Sequence, residues 1–194
     1  MKLILASSSI YRRNLLERLR IPFSAKSPDV DESPYPNEAP AALALRLAQA
    51  KAEAIALQHP SAIVIGSDQV AALGDLCLGK PGTHAKATAQ LQQLSGQEVV
   101  FHTALCVAQN TQYEVVNVRT TCVFRTLSAQ EIENYLQADK PYDTAGSAKA
   151  ESLGICLMQS MQSSDPTAII GLPLIELSRL LRAFQLNPLL KINK

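Results

Sequence analysis

The sequence predicts an α/β fold built on one mixed β-sheet. Short apolar runs rich in β-branched residues, such as 62–66, alternate with amphipathic segments, such as 40–57, whose apolar side chains recur every three or four residues. Two longer strand-like runs, 98–108 and 113–125, are separated by four polar residues and are expected to pair as a hairpin. Helical crossovers together with a hairpin imply both parallel and antiparallel strand pairs.

The first forty residues contain a predicted strand at 2–6, a helix at 11–19 and a second strand at 23–27. The first strand ends at a cluster of serines, and the helix places three leucines on one face: Leu15, Leu16 and Leu19. An acidic loop with two prolines follows at residues 29–36. Because proline lacks an N–H donor, we expect this loop to stay outside the sheet.

Residues 40–57 form the longest predicted helix, and Pro60 follows it. Its apolar positions are spaced by four and three residues, and the expected inward face contains Leu43, Leu47, Ala50, Ala54 and Leu57. Turn and cap residues predict the remaining elements. In order, they are a hairpin of strands 70–73 and 76–78, a helix from the cap Thr83 to Leu94, a helix from the capping box of Ser128 and Glu131 to Ala138, a strand at 155–158 and a helix at 173–184.

The bulk properties favour a single compact domain over residues 1–194, because this length suffices for one large core. The net charge of +1 provides no strong field for nucleic acid or an anionic membrane, and no apolar run is long enough to predict a transmembrane helix. The four cysteines contain no Cys-x-x-Cys spacing, so we expect buried free thiols. These features favour a cytoplasmic enzyme or binding protein with a small ligand.

Residues 74–81 match the first seven positions of a Walker A phosphate-binding loop, but Pro81 occupies the eighth. That position requires a Ser or Thr hydroxyl for magnesium, and proline also lacks the backbone N–H. The sequence therefore argues against a P-loop here.

Polar groups suited to a triphosphate occur in separate segments of the chain. Ser7 lies with Arg12 and Arg13 at a strand-to-helix junction, where free N–H groups and guanidinium groups favour an anion. The other candidates are Glu32 in the acidic loop, Lys51 on the long helix, Asp68 after the apolar strand and Lys80 in a Gly-Lys-Pro turn. Each has a purely structural alternative, since a serine can cap a helix, an aspartate can form a turn and a lysine can lie on the surface.

These segments, taken in order, resemble the Maf family. The matching segments are Leu5 to Arg13, Asp31-Glu32, Lys51, Gly66 to Val70, Gly79-Lys80-Pro81, Ala145-Gly146-Ser147 and Gly171-Leu172-Pro173. The resemblance spans the chain and implies a Maf/Ham1-like (inosine triphosphate pyrophosphatase-like) fold, an elongated mixed sheet flanked by helices with a cleft between two lobes. It also implies hydrolysis of a nucleoside triphosphate between the α and β phosphates.

The resemblance also implies roles for individual residues. Asp68 would be the base for the attacking water, with Glu32 and Lys80 as further catalytic groups, and Asp68 and Glu32 would hold Mg²⁺ or Mn²⁺. The groups that would contact phosphate are Ser7, Arg12, Arg13, Lys51 and Lys80. Such chemistry is reasonable, because a positioned carboxylate can deprotonate water while cations neutralise the phosphates.

Three positions depart from the common family pattern, with Tyr11 in place of Arg, Gln69 in place of Thr and Glu151 in place of Gln. They resemble the branch that acts on 7-methyl-GTP. Methylation of N7 makes guanine cationic, which favours the π face of Tyr11, while Glu151 can accept its N–H groups and Gln69 can add an amide contact. The alternative is that Tyr11 packs on its own helix and Glu151 is solvated.

Two further functions remain open on the sequence. One is a pyrophosphatase of broader specificity, acting on dTTP, UTP or modified pyrimidine nucleotides, and the other is a nucleotide-binding regulator without activity. A nucleic-acid-binding module is disfavoured by near-neutral charge and few aromatic residues. A homodimer is also compatible with the sequence.

Overall fold

The computed structural model describes residues 2–190. Its strands are β1 (Lys2–Ala6), β2 (Ser24–Lys26), β3 (Ala62–Leu73), β4 (Leu76–Leu78), β5 (Glu98–Gln109), β6 (Gln112–Phe124) and β7 (Met158–Ser163). Its α-helices are α1 (Ile10–Glu17), α2 (Pro40–Ala56), α3 (His84–Leu94), α4 (Ala129–Asp139) and α5 (Leu174–Ala183).

The strands form one mixed sheet in the order β2-β1-β3-β5-β6-β7, with β4 paired to part of β3. β1 is parallel to both β2 and β3, and the other pairs are antiparallel. The predicted hairpin of the two longest runs is confirmed as β5 and β6, which pair from Glu98 with Val123 to Gln109 with Gln112. The prediction of a mixed sheet is therefore confirmed.

Helices cover both faces of the sheet around β1, which explains why that strand is apolar and buried from Leu3 to Ala6. Leu3 and Leu5 lie in one core with residues of α1 and α5, whereas Ile4 and Ala6 lie in another core with residues of α2. Alternate residues of a strand point to opposite faces. β1 therefore separates two packed layers.

A third core lies at the other end of the long strands, between α3, α4 and the ends of β3, β5 and β6. Its largest fully buried side chains include Phe101 and Phe124. The molecule thus has one lobe around β1 and a second lobe around α3 and α4, joined by strands that run through both. That all of residues 1–194 form one domain stays a prediction, since residues 1 and 191–194 lie outside the described part.

Most helix predictions are confirmed with small shifts of their ends. Ser9 and Thr83 accept hydrogen bonds from the third residue after them at the start of α1 and α3, and Ser128 and Glu131 form the predicted capping box of α4. In α5 the buried residues are Leu177, Leu180 and Leu181. These caps satisfy N–H groups that the first turn leaves without partners.

β3 corrects one prediction. It is a single strand of 12 residues, whereas the sequence predicted two strands, with Asp68 just after the first. β3 pairs with β5 without interruption from Val64 to Ala72. This pairing keeps the polar residues 67–69 within β3. Asp68 is consequently a strand residue, paired in register with Ala104.

The inward face of α2 is rotated from the predicted one. Ala50 and Ala54 are only partly buried and Leu57 is 83% exposed. The face that is buried contains Leu43, Ala44, Leu47, Ala48, Lys51, Ala52, Ile55 and Ala56. This face is rich in alanine because α2 approaches β3 closely at Gly66, where an added Cβ would lie 2.2 Å from the carbonyl oxygen of Ala48.

Two smaller predictions are also wrong. Residues Leu153–Leu157 form a 3₁₀ helix instead of the strand expected at 155–158, and the strand β7 begins only at Met158. Ile155 and Cys156 are exposed, so this apolar run is not buried as a core strand would be. The cysteines are free as predicted, but only Cys106 and Cys122 are buried. Within residues 2–190, no helix has the length and apolar character needed to cross a bilayer.

Candidate active site

The candidate site lies where β1 ends and β3 continues past it. The last pair between the two strands joins Ala6 to Gly66, so Ser67 and Asp68 extend beyond the carboxyl end of β1. From β1 the chain leads into α1 on one face of the sheet, whereas α2, which leads into β3, lies on the other face. Such a reversal leaves a crevice in which α/β proteins commonly bind ligands.

Lys51 of α2 joins the two predicted catalytic carboxylates. Its Nζ lies 2.6 Å from Oδ1 of Asp68 and 2.7 Å from Oε1 of Glu32. The Lys51 and Asp68 side chains are 7% and 10% exposed, whereas that of Glu32 is 58% exposed. Burial of a charge is costly unless it is paired, so this cluster depends on all three groups. Within residues 2–190, Oδ2 of Asp68 has no hydrogen-bond partner.

The charges around Glu32 favour its ionised form. Partial burial opposes ionisation, but the hydrogen bond from Lys51 and the charges of Lys51, Lys80 and Arg12 outweigh it and lower the pKa of Glu32. Lys80 itself is exposed in the segment after β4. The predicted site residues Glu32, Lys51, Lys80 and Arg12 therefore lie close enough to interact electrostatically.

Arg12 approaches the same cluster from the first turn of α1. Its Nε donates to the carbonyl oxygen of Gly171 at 2.9 Å, and its Nη1 donates to Oγ of Ser7 at 3.4 Å. Burial lowers the pKa of Arg12, and the nearby carboxylates of Asp68 and Glu32 act in the opposite direction. The guanidinium is thus anchored beside the carboxylates.

The two residues that flank Asp68 hold the segment that carries Gly171. Ser67 is fully buried, and its hydroxyl lies 3.0 Å from the Gly171 carbonyl oxygen and 2.8 Å from that of Ala104. Nε2 of Gln69 lies about 3.0 Å from the carbonyl oxygens of Ala168 and Ile169. Ser67 and Gln69 point to the same face because they are two residues apart in a strand. They therefore connect β3 to the segment whose Gly171 carbonyl oxygen accepts from Arg12.

The acidic loop before α2 is held by Arg46, which the sequence did not suggest. The guanidinium donates to both carboxylate oxygens of Glu38, at 2.6 and 2.8 Å, and to the carbonyl oxygen of Ser33 at 3.0 Å. It also stacks on Tyr35, 4.0 Å from the ring centroid. The hydrogen bond from Arg46 lowers the pKa of Glu38 to about 2. This forked contact fixes the loop that presents Glu32.

A second polar cluster surrounds Tyr11 between the two lobes. Its hydroxyl donates to Oδ2 of Asp143 at 3.1 Å, and the ammonium of Lys149 lies 5.7 Å from its ring centroid. Lys149 also lies 3.5 Å from Oδ1 of Asp143. Glu151 is near this cluster and exposed, but partial desolvation of its carboxylate, together with the charges of Asp139 and Asp143, raises its pKa. Tyr11 and Glu151, both predicted to recognise the base, thus share one set of neighbours.

Two predicted site residues have partners of their own. The side-chain N–H groups of Gln69 are directed at Thr103 and at residues 168–169, which leaves its oxygen as the group available to a ligand. Arg13 is exposed and pairs at 3.9 Å with Glu17 one turn along α1. The structure therefore brings together Ser7, Arg12, Glu32, Lys51 and Asp68 around one point and Tyr11 and Glu151 around another.

Comparison with known proteins identifies the family of this chain. The family model described as Maf-like protein matches residues 2–184. This chain belongs to the Maf family. Among curated relatives, a Bordetella avium protein named 7-methyl-GTP pyrophosphatase is 62% identical over 188 residues, which cover 97% of this chain and 95% of that protein. A Cupriavidus metallidurans protein of the same name is 56% identical over 182 residues, covering 93% and 92%.

Among solved structures, this Maf protein is similar to the Staphylococcus aureus Ham1 protein, with a TM-score of 0.50 and 14% sequence identity. The match covers 79% of this chain and 90% of that one. At this identity the likeness concerns the fold alone. It agrees with the mixed sheet flanked by helices that the sequence predicted.

The sequence did not reveal the roles of Gly171, Asp143 and Lys149. Gly171 contributes a backbone carbonyl, for which no side chain gives a signal, although its Gly-Leu-Pro motif did stand out. Asp143 and Lys149 contact Tyr11 across more than 130 residues of chain. The only available signal was that Lys149 is two residues before Glu151.

Proposed function

We propose that this chain is a pyrophosphatase that hydrolyses 7-methyl-GTP between the α and β phosphates to 7-methyl-GMP and pyrophosphate. The observation that carries this proposal is the buried cluster of Asp68, Lys51 and Glu32 beside Arg12 in a member of the Maf family. A carboxylate among cations suits the attack of water on a polyanion. The name shared by relatives of 56–62% identity supports the choice of base.

In the proposed reaction, Oδ2 of Asp68 accepts a proton from water while the water oxygen bonds to the α phosphorus. The bond from that phosphorus to the bridging oxygen breaks, and pyrophosphate leaves. Arg12, Lys51 and Lys80 offset negative charge on the phosphates, and Ser7 with the first turn of α1 offers hydrogen-bond donors. Arg13 would contact phosphate oxygens farther from Asp68, because it lies on the exposed face of α1.

The donor groups at Asp68 and Glu32 fit a divalent cation such as Mg²⁺ or Mn²⁺. Their carboxylates both contact one positive atom, Nζ of Lys51, and both supply the hard oxygen ligands that these ions prefer. Within residues 2–190, no three His, Cys, Asp or Glu side chains form a metal-binding group. Mg²⁺ often uses one or two carboxylates with substrate phosphates and water. When bound, the ion would neutralise phosphate charge.

The base is proposed to lie beside Tyr11 and Glu151. An N7-methylated guanine carries a positive charge, which an aromatic face attracts. The carboxylate of Glu151 can accept the N1–H and N2–H groups of the base, and the free oxygen of Gln69 is a further acceptor. The raised pKa of Glu151 indicates a site where a partner cation or donor would be favourable.

A substrate panel tests this function. The protein is incubated with 7-methyl-GTP, GTP, dTTP or UTP with Mg²⁺ or Mn²⁺, and pyrophosphate and nucleoside monophosphate are measured. We expect the highest kcat/KM for 7-methyl-GTP. A clear preference for dTTP or UTP would instead support the broader pyrophosphatase, and nucleotide binding without pyrophosphate release would support the regulator.

A further inference from the structure

Tyr11 is held by two charged residues from the opposite lobe, and neither has a role in the chemistry described above. Asp143 and Lys149 lie between α4 and the 3₁₀ helix Leu153–Leu157, on either side of a short 3₁₀ helix, Ala145–Ser147. Asp143 accepts from the Tyr11 hydroxyl with one oxygen and pairs with Lys149 through the other. A single carboxylate therefore connects the aromatic ring with the nearest cation.

Lys149 poses an electrostatic problem for the proposed substrate. Its side chain is only 17% exposed, and Nζ is fixed by the carbonyl oxygen of Asp139 at 3.2 Å as well as by Asp143. The ammonium lies 5.7 Å from the Tyr11 ring. A lysine so close to that ring would repel a positively charged base unless other groups compensate for its charge.

We propose that Asp143 is a further specificity-determining residue, which favours a positively charged base by compensating Lys149 and by holding Tyr11. This inference rests on the proposed 7-methyl-GTP pyrophosphatase function and deepens it. It assigns discrimination between a cationic and a neutral base to a residue outside the set Tyr11, Gln69 and Glu151.

The charges that face the cluster support this role. The ammonium of Lys149 pairs directly with the carboxylate of Asp143 and is close to that of Glu151, whereas Asp139 contacts it through a backbone carbonyl oxygen. The Asp139 carboxylate accepts from Ser152 and from the N–H of Gly154, which fixes its position. Removal of the Asp143 carboxylate would take away the group that pairs directly with the Lys149 ammonium. The two carboxylates of Asp143 and Glu151 outweigh the one ammonium of Lys149, which favours a cation at this end of the site.

The opposite end of the site carries the opposite charge. Arg12, Lys51 and Lys80 lie near the position proposed for the phosphates. 7-Methyl-GTP combines anionic phosphates with a cationic ring, so its charge distribution matches both ends. GTP matches only the phosphate end. Discrimination between the two nucleotides should therefore depend on groups near Tyr11.

The test compares 7-methyl-GTP with its 7-methyl-7-deaza analogue, which has nearly the same shape but a neutral ring. Binding of both is measured by calorimetry, and pyrophosphate release is measured in parallel. We expect the parent protein to prefer the cationic nucleotide and Asp143→Asn to reduce that preference about tenfold, the size of one charge several ångströms away that water partly screens, since the Asp143 side chain is 59% exposed. Asp143→Glu, which keeps the charge, should restore most of it.

Asp75→Asn is the matched control, because Asp75 is an exposed carboxylate in the turn between β3 and β4. It should leave the preference unchanged. Equal losses for both nucleotides in Asp143→Asn, or an unchanged ratio, would overturn the proposal, since a merely structural role affects both alike. The calorimetric binding measurement distinguishes failure of the Asp143 proposal from failure of the proposed function. If binding prefers the cationic nucleotide in a way that depends on Asp143 but no pyrophosphate is released, only the proposed function is refuted.

Discussion

Asp68 and Lys51 are so deeply buried that either charge would be strongly destabilising without the other. Both side chains are at most 10% exposed, and each provides the other's close ionic contact at 2.6 Å. Removing one partner of a buried pair leaves an uncompensated charge and is strongly destabilising. The exposed Glu32 adds a second contact to Lys51. The cluster therefore combines a stable pair with a carboxylate oxygen that is free to accept a proton.

Asp68→Asn should reduce turnover of 7-methyl-GTP by about 10³-fold, the usual contribution of a general base. Asparagine keeps the size of the side chain and can still accept a hydrogen bond from Lys51, so nucleotide binding should remain measurable. Steady-state pyrophosphate release gives kcat, and calorimetry gives the Kd. Asp75→Asn serves as the control for loss of a surface carboxylate. Turnover within tenfold of the parent would refute the role of Asp68 as base.

At the residue scale, the sequence was informative wherever a charged side chain belongs to the candidate site. Asp68, Glu32 and Lys51 were each predicted separately, and the structure places both carboxylates within hydrogen-bond distance of Lys51. The carbonyl of Gly171 and the contact of Asp143 with Tyr11 were not predictable. Both join residues far apart in sequence, and the first involves only backbone.

At the element scale, β3 positions the site because it is longer than its neighbour β1. The sequence suggested that the strand ends at Gly66, since serine, aspartate and glutamine interrupt the apolar run. The uninterrupted ladder with β5 provides the backbone partners that keep it extended. β7 was missed for a related reason: its sequence is largely polar and exposed, and only pairing with β6 defines it.

Gly66→Ala should destabilise the protein and impair catalysis together. The added methyl group would lie 2.2 Å from the carbonyl oxygen of Ala48 and 2.7 Å from the N–H nitrogen of Ala52. α2 must move away from β3, and Lys51 belongs to this part of α2. We expect a loss of about 1–3 kcal/mol in the free energy of unfolding, measured with urea, and a reduced kcat.

Gly79→Ala is the matched control for stability, because an added Cβ there meets nothing within 4 Å and the backbone is unstrained. Its free energy of unfolding should stay within about 0.5 kcal/mol of the parent value. If Gly66→Ala proved equally harmless, close packing of α2 on β3 would not be what positions Lys51.

At the scale of the whole molecule, the site draws on both lobes. Arg12, Lys51 and Asp68 belong to elements packed around β1, whereas Asp143, Lys149 and Glu151 follow α4 in the second lobe. Tyr11 is the direct link, since it starts in α1 and reaches Asp143. A nucleotide bound as proposed would contact both lobes at once, with its phosphates in the first and its base toward the second.

Amide hydrogen exchange on the Asp68→Asn variant tests this arrangement without turnover. 7-Methyl-GTP should slow exchange at residues 7–13 and also at residues 142–152, because it contacts both lobes. Inorganic triphosphate carries no base and should slow exchange only at 7–13. Exchange falls when opening costs more free energy, so each ligand reports the segments that it stabilises. Equal protection of both segments by triphosphate would show that the second lobe responds to phosphate binding rather than to the base.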